Sequence, residues 1–256
     1  MNISRIYCPY IKNQSLIIVK NNRFNYIKNV LRKRINDKLI IFNGLGTESY
    51  AYLKYVKKKY LVIEIEKEYT NTPSNFFFNV ALPLIKKKKF EFVMEKANEM
   101  GVFSLTPLIT DFTAKNYLNN DKKKMMHLEK KIISSAEQNG RNQLMILNKV
   151  KTIKEFCIEI NPINAVKVYL QPFSENEFLD IFCILKQHQK SNSIKKNKIF
   201  IVVGPEGGFS REEIILLNKC NFIGYHLTNN ILCSETSVIS SIAILSNILR
   251  YFKICK

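Results

Sequence analysis

No apolar run in this chain approaches the roughly 20 consecutive residues needed to cross a bilayer, and the opening stretch MNISRIYCPY has no signal-peptide core. A cytoplasmic protein with no membrane partner is the expectation. Paired cysteines are missing as well. Cys8, Cys157, Cys183, Cys220, Cys233 and Cys255 are scattered without a CxxC pair, and His127, His188 and His226 share no ligand spacing with them. That argues against zinc sites and redox dithiols, and leaves reduced, mostly buried thiols and no metal as the expectation. Acidic residues are scarce: 21 Asp and Glu stand against 40 Lys and Arg, for a formal charge of +19. The excess points to a polyanion such as RNA, because lysines near phosphates release counterions. A compositional origin competes with this, since Lys, Asn and Ile are over-used throughout, as in chains from strongly AT-biased genomes. The clusters Arg32–Arg34, Lys57–Lys59, Lys86–Lys89, Lys122–Lys124 and Lys195–Lys198 fall mostly at the ends of expected elements, where a solvated face is the ordinary reading.

The apolar fraction of 46% suits a globular protein, and 256 residues can make one large domain or two smaller ones. The first 70 residues read as short strands at Ser15–Val19, Lys38–Asn43, Glu48–Tyr55 and Tyr60–Glu66, with a short helix over Phe24–Leu31. Asn43–Gly46 carries a hairpin signal between two of those strands, and a small β-barrel over residues 1–70 is expected. The polar stretch Tyr69–Asn75, YTNTPSN, is the best linker. From residue 76 to 256 the rhythm changes to strand and helix in turn. Strands are expected at Phe76–Leu84, Leu105–Ile109, Val166–Leu170, Ile199–Val203 and Gly224–Leu227, with helices at Lys87–Met100, Lys122–Asn139, Glu175–Gln189 and Thr236–Phe252. Continuous apolar strands alternating with helices imply an α/β fold with a parallel sheet covered on both faces. Ligands in such sheets bind beyond the carboxyl ends of the strands.

One such end carries the sharpest local signal. In Ile199–Glu213, IFIVVGPEGGFSREE, a β-branched run enters a turn of Gly204, Pro205, Glu206, Gly207 and Gly208, and Ser210 with Glu213 has capping-box spacing for a following helix. The loop lacks the Lys-Ser/Thr ending of a P-loop and the glycine spacing of a dinucleotide fingerprint, and Glu206 would repel a polyphosphate. A carboxylate beside bare amides suits a ligand with hydroxyls, amide-like ring edges and a positive centre, as S-adenosylmethionine has. The alternative is that a glycine-rich turn after a strand is only a turn.

Four segments together resemble the RsmE family, methyltransferases of the knotted SPOUT superfamily that modify N3 of a uridine in 16S ribosomal RNA. They are Asn29–Arg32 (NVLR) with Asp37 and Gly44; Phe92–Val102 (FVMEKANEMGV); Ala136–Arg141 (AEQNGR); and Gly204–Glu213 with the tail Leu227–Thr236 (LTNNILCSET). The resemblance implies a PUA-like barrel that helps hold RNA, a SPOUT domain with a carboxy-terminal trefoil knot, and a homodimer acting on 16S rRNA or the small ribosomal subunit. It implies that the cofactor is held by loops at Leu170, at Gly204, Pro205, Glu206, Gly207 and Gly208, and at Leu227, Thr228, Ile231 and Leu232. Glu235 and Arg141 become the candidate catalytic or positioning groups, and Arg5, Arg32, Gln138 and Arg141 the candidate RNA contacts. The tail departs from the family pattern LGxRILRxETA: Thr228 replaces the glycine, Asn230 and Cys233 replace the two arginines, and Ser237 replaces the alanine. A β-branched residue at a position needing positive φ would be strained by about 1 kcal/mol or more. Two further readings stay open: a SPOUT methyltransferase acting on another RNA, and a non-catalytic RNA-binding or ribosome-assembly protein that keeps the fold.

Overall fold

The computed structural model describes residues 3–11, 15–70, 76–113, 118–172, 174–190 and 197–254. Its contacts divide the chain into two compact units, Met1–Pro73 with Ile133–Leu144, and Ser74–Ile132 with Met145–Lys256.

In the first unit, β1 (Ser4–Tyr7), β2 (Leu16–Lys20), β3 (Lys38–Phe42), β4 (Thr47–Val56) and β5 (Tyr60–Thr70) form one sheet in the order β1-β3-β4-β5-β2. β1 runs parallel to β3, and the other pairs are antiparallel. Both edge strands send side chains into the same core, Ile6 from β1 and Ile17 and Val19 from β2, where they meet Leu39, Leu53 and Leu61. The sheet is therefore curled around its apolar face. The hairpin between β3 and β4 forms where Asn43–Gly46 predicts it, because the Asn43 side-chain oxygen accepts from the amides of Leu45 (2.8 Å) and Thr47 (3.1 Å). Two local expectations are corrected. β1 escapes a pattern search because it is four residues long with one buried side chain, Ile6. The helix expected over Phe24–Leu31 instead starts at Asn21 as α1 (Asn21–Asn25) and widens into a π-turn, Tyr26–Val30, where the Leu31 amide reaches the Tyr26 carbonyl at 2.9 Å. Tyr69 and Thr70 close β5, and the rest of the expected linker, 71–75, lies outside the described residues.

The second unit is the expected parallel α/β sheet. Its strands are β6 (Phe76–Pro83), β7 (Ser104–Ile109), β8 (Ile146–Leu147), β9 (Lys151–Thr152), β10 (Val166–Leu170), β11 (Asn197–Val203) and β12 (Ile223–Tyr225). They lie in the order β12-β10-β11-β6-β7-β8, with β9 also on β7, and every pair is parallel. Its helices are α2 (Lys87–Glu99), the first part of α3 (Lys122–Asn139, whose residues from Ile133 on belong to the first unit), α4 (Ile153–Ile160), α5 (Ile181–Lys190), α6 (Arg211–Lys219) and α7 (Ser234–Ile254). α2 buries an apolar face at Phe90, Val93, Met94 and Ala97, and α7 one at Val238, Ile242 and Leu245. α4 was not expected, although Thr152 and Glu155 form its complete capping box; at eight residues it offers only two turns of pattern. The helix expected from Glu175 begins later, after a 3₁₀ turn at Phe178–Asp180. Ser174 and Asn176 instead donate to the carbonyl of Gly224 at 2.8 and 3.0 Å, which holds this stretch against β12 and away from helical pairing.

Candidate functional site

The loop after β11 folds as its sequence predicts. Ser210 Oγ accepts from the Glu213 amide at 3.2 Å, and Glu213 Oε2 accepts from the Ser210 amide at 2.9 Å, which completes the capping box of α6. The other oxygen, Oε1, accepts from the Asp111 amide at 2.9 Å. Burial raises the Glu213 carboxyl above its usual range, against the pull of those two backbone donors. Gly208 is the position in this loop whose backbone favours glycine, and Gly204 is closely packed. A Cβ on Gly204 would meet the Phe209 ring at 3.3 Å and the Gly208 backbone at 3.4 Å. Gly208 has φ +75°, and a Cβ there would meet no atom within 4 Å, so its open side faces free space.

Gly208 also lines a pocket at the carboxyl ends of three adjacent strands, β10, β11 and β12. Nine of the ten sequence-predicted cofactor residues line it: Leu170 at the end of β10, Gly204, Pro205, Glu206 and Gly208 after β11, and Leu227, Thr228, Ile231 and Leu232 after β12. Gly207 is the exception; it turns away and packs against Phe112, whose Cβ a side chain at 207 would meet at 3.2 Å. Tyr225, His226 and Ser234 also line the pocket and were not singled out in the sequence. The His226 Nδ1 is buried without a hydrogen-bond partner in the protein. Ser234 Oγ donates to the Gly204 carbonyl at 2.8 Å and so ties α7 to the glycine loop.

Thr228 does not carry the strain expected of it, because it is absent from the described residues with positive φ. Its hydroxyl instead closes a local turn, donating to the Asn230 carbonyl at 3.0 Å and accepting from the Asn230 amide at 3.3 Å. Thr228→Gly is therefore expected to lower rather than raise cofactor affinity, by a few-fold, since it removes the turn and adds backbone freedom. Calorimetric titration of both proteins with S-adenosylmethionine checks this, and a gain in affinity would contradict the unstrained turn.

Charge gathers at the edge of the pocket around a residue not singled out in the sequence. Lys89, in the first turn of α2, lies 2.6 Å from Glu235 Oε1 and 3.6 Å from Glu206 Oε1. The hydrogen bond to Glu235 raises the Lys89 ammonium above its ordinary value, with Glu206 adding to it. Burial pushes the Glu235 carboxyl up, but Lys89 and nearby hydrogen bonds outweigh that and hold it below the usual carboxylate range. Glu235 Oε2 is buried and has no hydrogen-bond partner.

A family model described as an RNA methyltransferase domain matches residues 72–246, and one described as an RNA methyltransferase PUA domain matches residues 19–66. Ribosomal RNA small subunit methyltransferase E of Buchnera aphidicola from Schizaphis graminum is 30% identical over 246 residues, covering 95% of each chain. The chain belongs to the ribosomal RNA small subunit methyltransferase E family. The enzyme of that name from Rickettsia conorii is 29% identical over 248 residues, again covering 95% of each chain. The structure of a Legionella pneumophila protein in complex with S-adenosylmethionine superposes with a TM-score of 0.80 at 29% identity, over 96% of this chain and 98% of that one. The Neisseria gonorrhoeae methyltransferase E, bound to the same cofactor, has the same fold, with a TM-score of 0.82 at 23% identity over 96% of this chain and 98% of that one.

In this member of the methyltransferase E family, the four candidate RNA residues all fall in the first unit, and Glu235 falls in the second. Arg32 and Gln138 are exposed. Arg5 is not: its side chain is 11% exposed, bonded to Glu48 at 2.8 Å and stacked over Phe42. Arg141 is half-buried, and burial pushes its guanidinium down to about 10, so it remains cationic at neutral pH. Among the described residues no group of His, Cys, Asp or Glu could hold a metal ion, and no helix is long and apolar enough to cross a membrane.

Proposed function

We propose that the chain is an S-adenosylmethionine-dependent methyltransferase acting on N3 of a uridine in 16S ribosomal RNA, as RNA or within the small subunit. The observation that carries this reading is the pocket formed by the loops after β10, β11 and β12, in a chain of the methyltransferase E family. The lining suits the cofactor chemically. Leu170, Val203 and Leu232 offer apolar walls to a purine, the open side of Gly208 lets backbone approach, and the orphaned His226 Nδ1 needs a polar partner. Glu206 places a carboxylate where a positive centre would be favoured. S-adenosylmethionine, when bound, supplies an electrophilic methyl group for in-line displacement.

The protein must then align the target nitrogen and ease the loss of its proton. A carboxyl held below its usual range is a weak acceptor for a uridine proton, so Glu235 serves as a fixed charge rather than as a store for that proton. Arg141, cationic at neutral pH, and the exposed Arg32 offer positive charge to the RNA, and the exposed Gln138 offers a neutral polar contact. Residues 1–70 act as the RNA-binding domain and 76–256 as the methyltransferase domain, with the trefoil knot, the homodimer and the cytoplasmic location that the family resemblance implies. Mass spectrometry of small-subunit rRNA from a strain lacking this protein tests the reading. One N3-methyluridine is expected to disappear and to return on complementation; an unchanged signal would sink it.

A further inference from the structure

We propose that Lys89 is a positioning residue, a clasp whose ammonium holds the glycine loop to the first turn of α7 through Glu206 and Glu235. Its consequence for cofactor binding rests on the reading of the pocket given above; the clasp itself does not.

The three residues come from separate parts of the chain and meet at the pocket edge, with Lys89 Nζ 2.6 Å from Glu235 and 3.6 Å from Glu206. Within the run Lys86–Lys89, the first three side chains are exposed and Lys89 alone is half-buried. The two carboxylates would repel one another without a cation between them. Glu235 is the more demanding partner: its side chain is 16% exposed and Oε2 has no hydrogen bond, so loss of the ammonium would leave a largely buried carboxylate uncompensated. Cys233 is the remaining titratable group that faces the pair, and it carries a thiol rather than a second cation. The Ser234 hydroxyl on the Gly204 carbonyl also ties the same two elements, so loop and helix are held at two points. Glu206 and Ser234 both line the pocket, so a shift at the clasp moves its wall.

The test is hydrogen exchange of the ligand-free, full-length protein, read by mass spectrometry in peptides covering 204–210 and 233–238, alongside calorimetry with S-adenosylmethionine. Lys89→Met should speed exchange in both peptides and weaken cofactor binding by about tenfold, a typical size for coupling between adjoining sites. Lys89→Arg, which keeps the charge, should stay near wild type. Adding Glu235→Gln to Lys89→Met should slow exchange again, a charge rescue that a merely space-filling lysine would not show. Unchanged exchange in Lys89→Met, or no rescue by Arg or by Glu235→Gln, would overturn the clasp. If the wild type binds no S-adenosylmethionine while exchange still responds to Lys89→Met, the reading of the pocket falls and the clasp stands.

Discussion

Gly208→Val is expected to abolish measurable binding of S-adenosylmethionine, a loss of more than about 100-fold, or roughly 2.7 kcal/mol. Two effects act together. The backbone at 208 has φ +75°, and a β-branched residue held there is strained by about 1–3 kcal/mol. The added side chain would also project from a loop that lines the pocket, where no protein atom lies within 4 Å of the new Cβ. The protein itself therefore has room for the valine, and the ligand would lose it. Calorimetry on a variant shown to be folded by circular dichroism measures the effect. Wild-type affinity in that variant would mean that the cofactor lies elsewhere.

The second large effect is on stability. Asn98→Leu is expected to destabilise the protein by about 2–5 kcal/mol, because two buried backbone groups would each lose their partner at roughly 1–3 kcal/mol apiece. Asn98 is fully buried near the end of α2; its amide donates to the Ile132 carbonyl of α3 at 3.2 Å, and its oxygen accepts from the Met145 amide at 3.3 Å. Leucine has the same number of side-chain heavy atoms, is somewhat bulkier, and offers neither bond. Urea unfolding should show a lower midpoint with an unchanged slope, the signature of lost stability without a change in exposed surface. A midpoint within error of wild type would show that water satisfies both groups.

Local chemistry was legible in the sequence wherever the partners are close along the chain. The Ser210–Glu213 box, the Asn43 hairpin and the buried stripe of α2 each depend on residues a few positions apart. Pairings across the fold were not. The stretch from Glu175 leaves the helical pattern because Asn176, with Ser174 before it, donates to the Gly224 carbonyl, and nothing within one turn of them signals it. Lys89 reads as one of four consecutive lysines, and only the approach of Glu206 and Glu235 sets it apart. Much the same holds for the pocket. The glycine loop is readable from its own residues, whereas the strand order that brings the ends of β10 and β12 beside it is a property of the whole sheet. Thr228 shows the opposite failure: a family pattern suggested strain, but the threonine hydroxyl makes a turn that glycine cannot.

One carboxylate gives the glycine loop a property beyond its shape. Glu213 closes the cap of α6 with one oxygen and holds the Asp111 amide with the other, and the adjoining Phe112 buttresses Gly207. Neither stretch can open by itself without leaving a buried carboxylate short of a donor, so the two fray together or not at all. The wall between them is thus preorganised before any ligand arrives, and little of a ligand's binding free energy is diverted into ordering it.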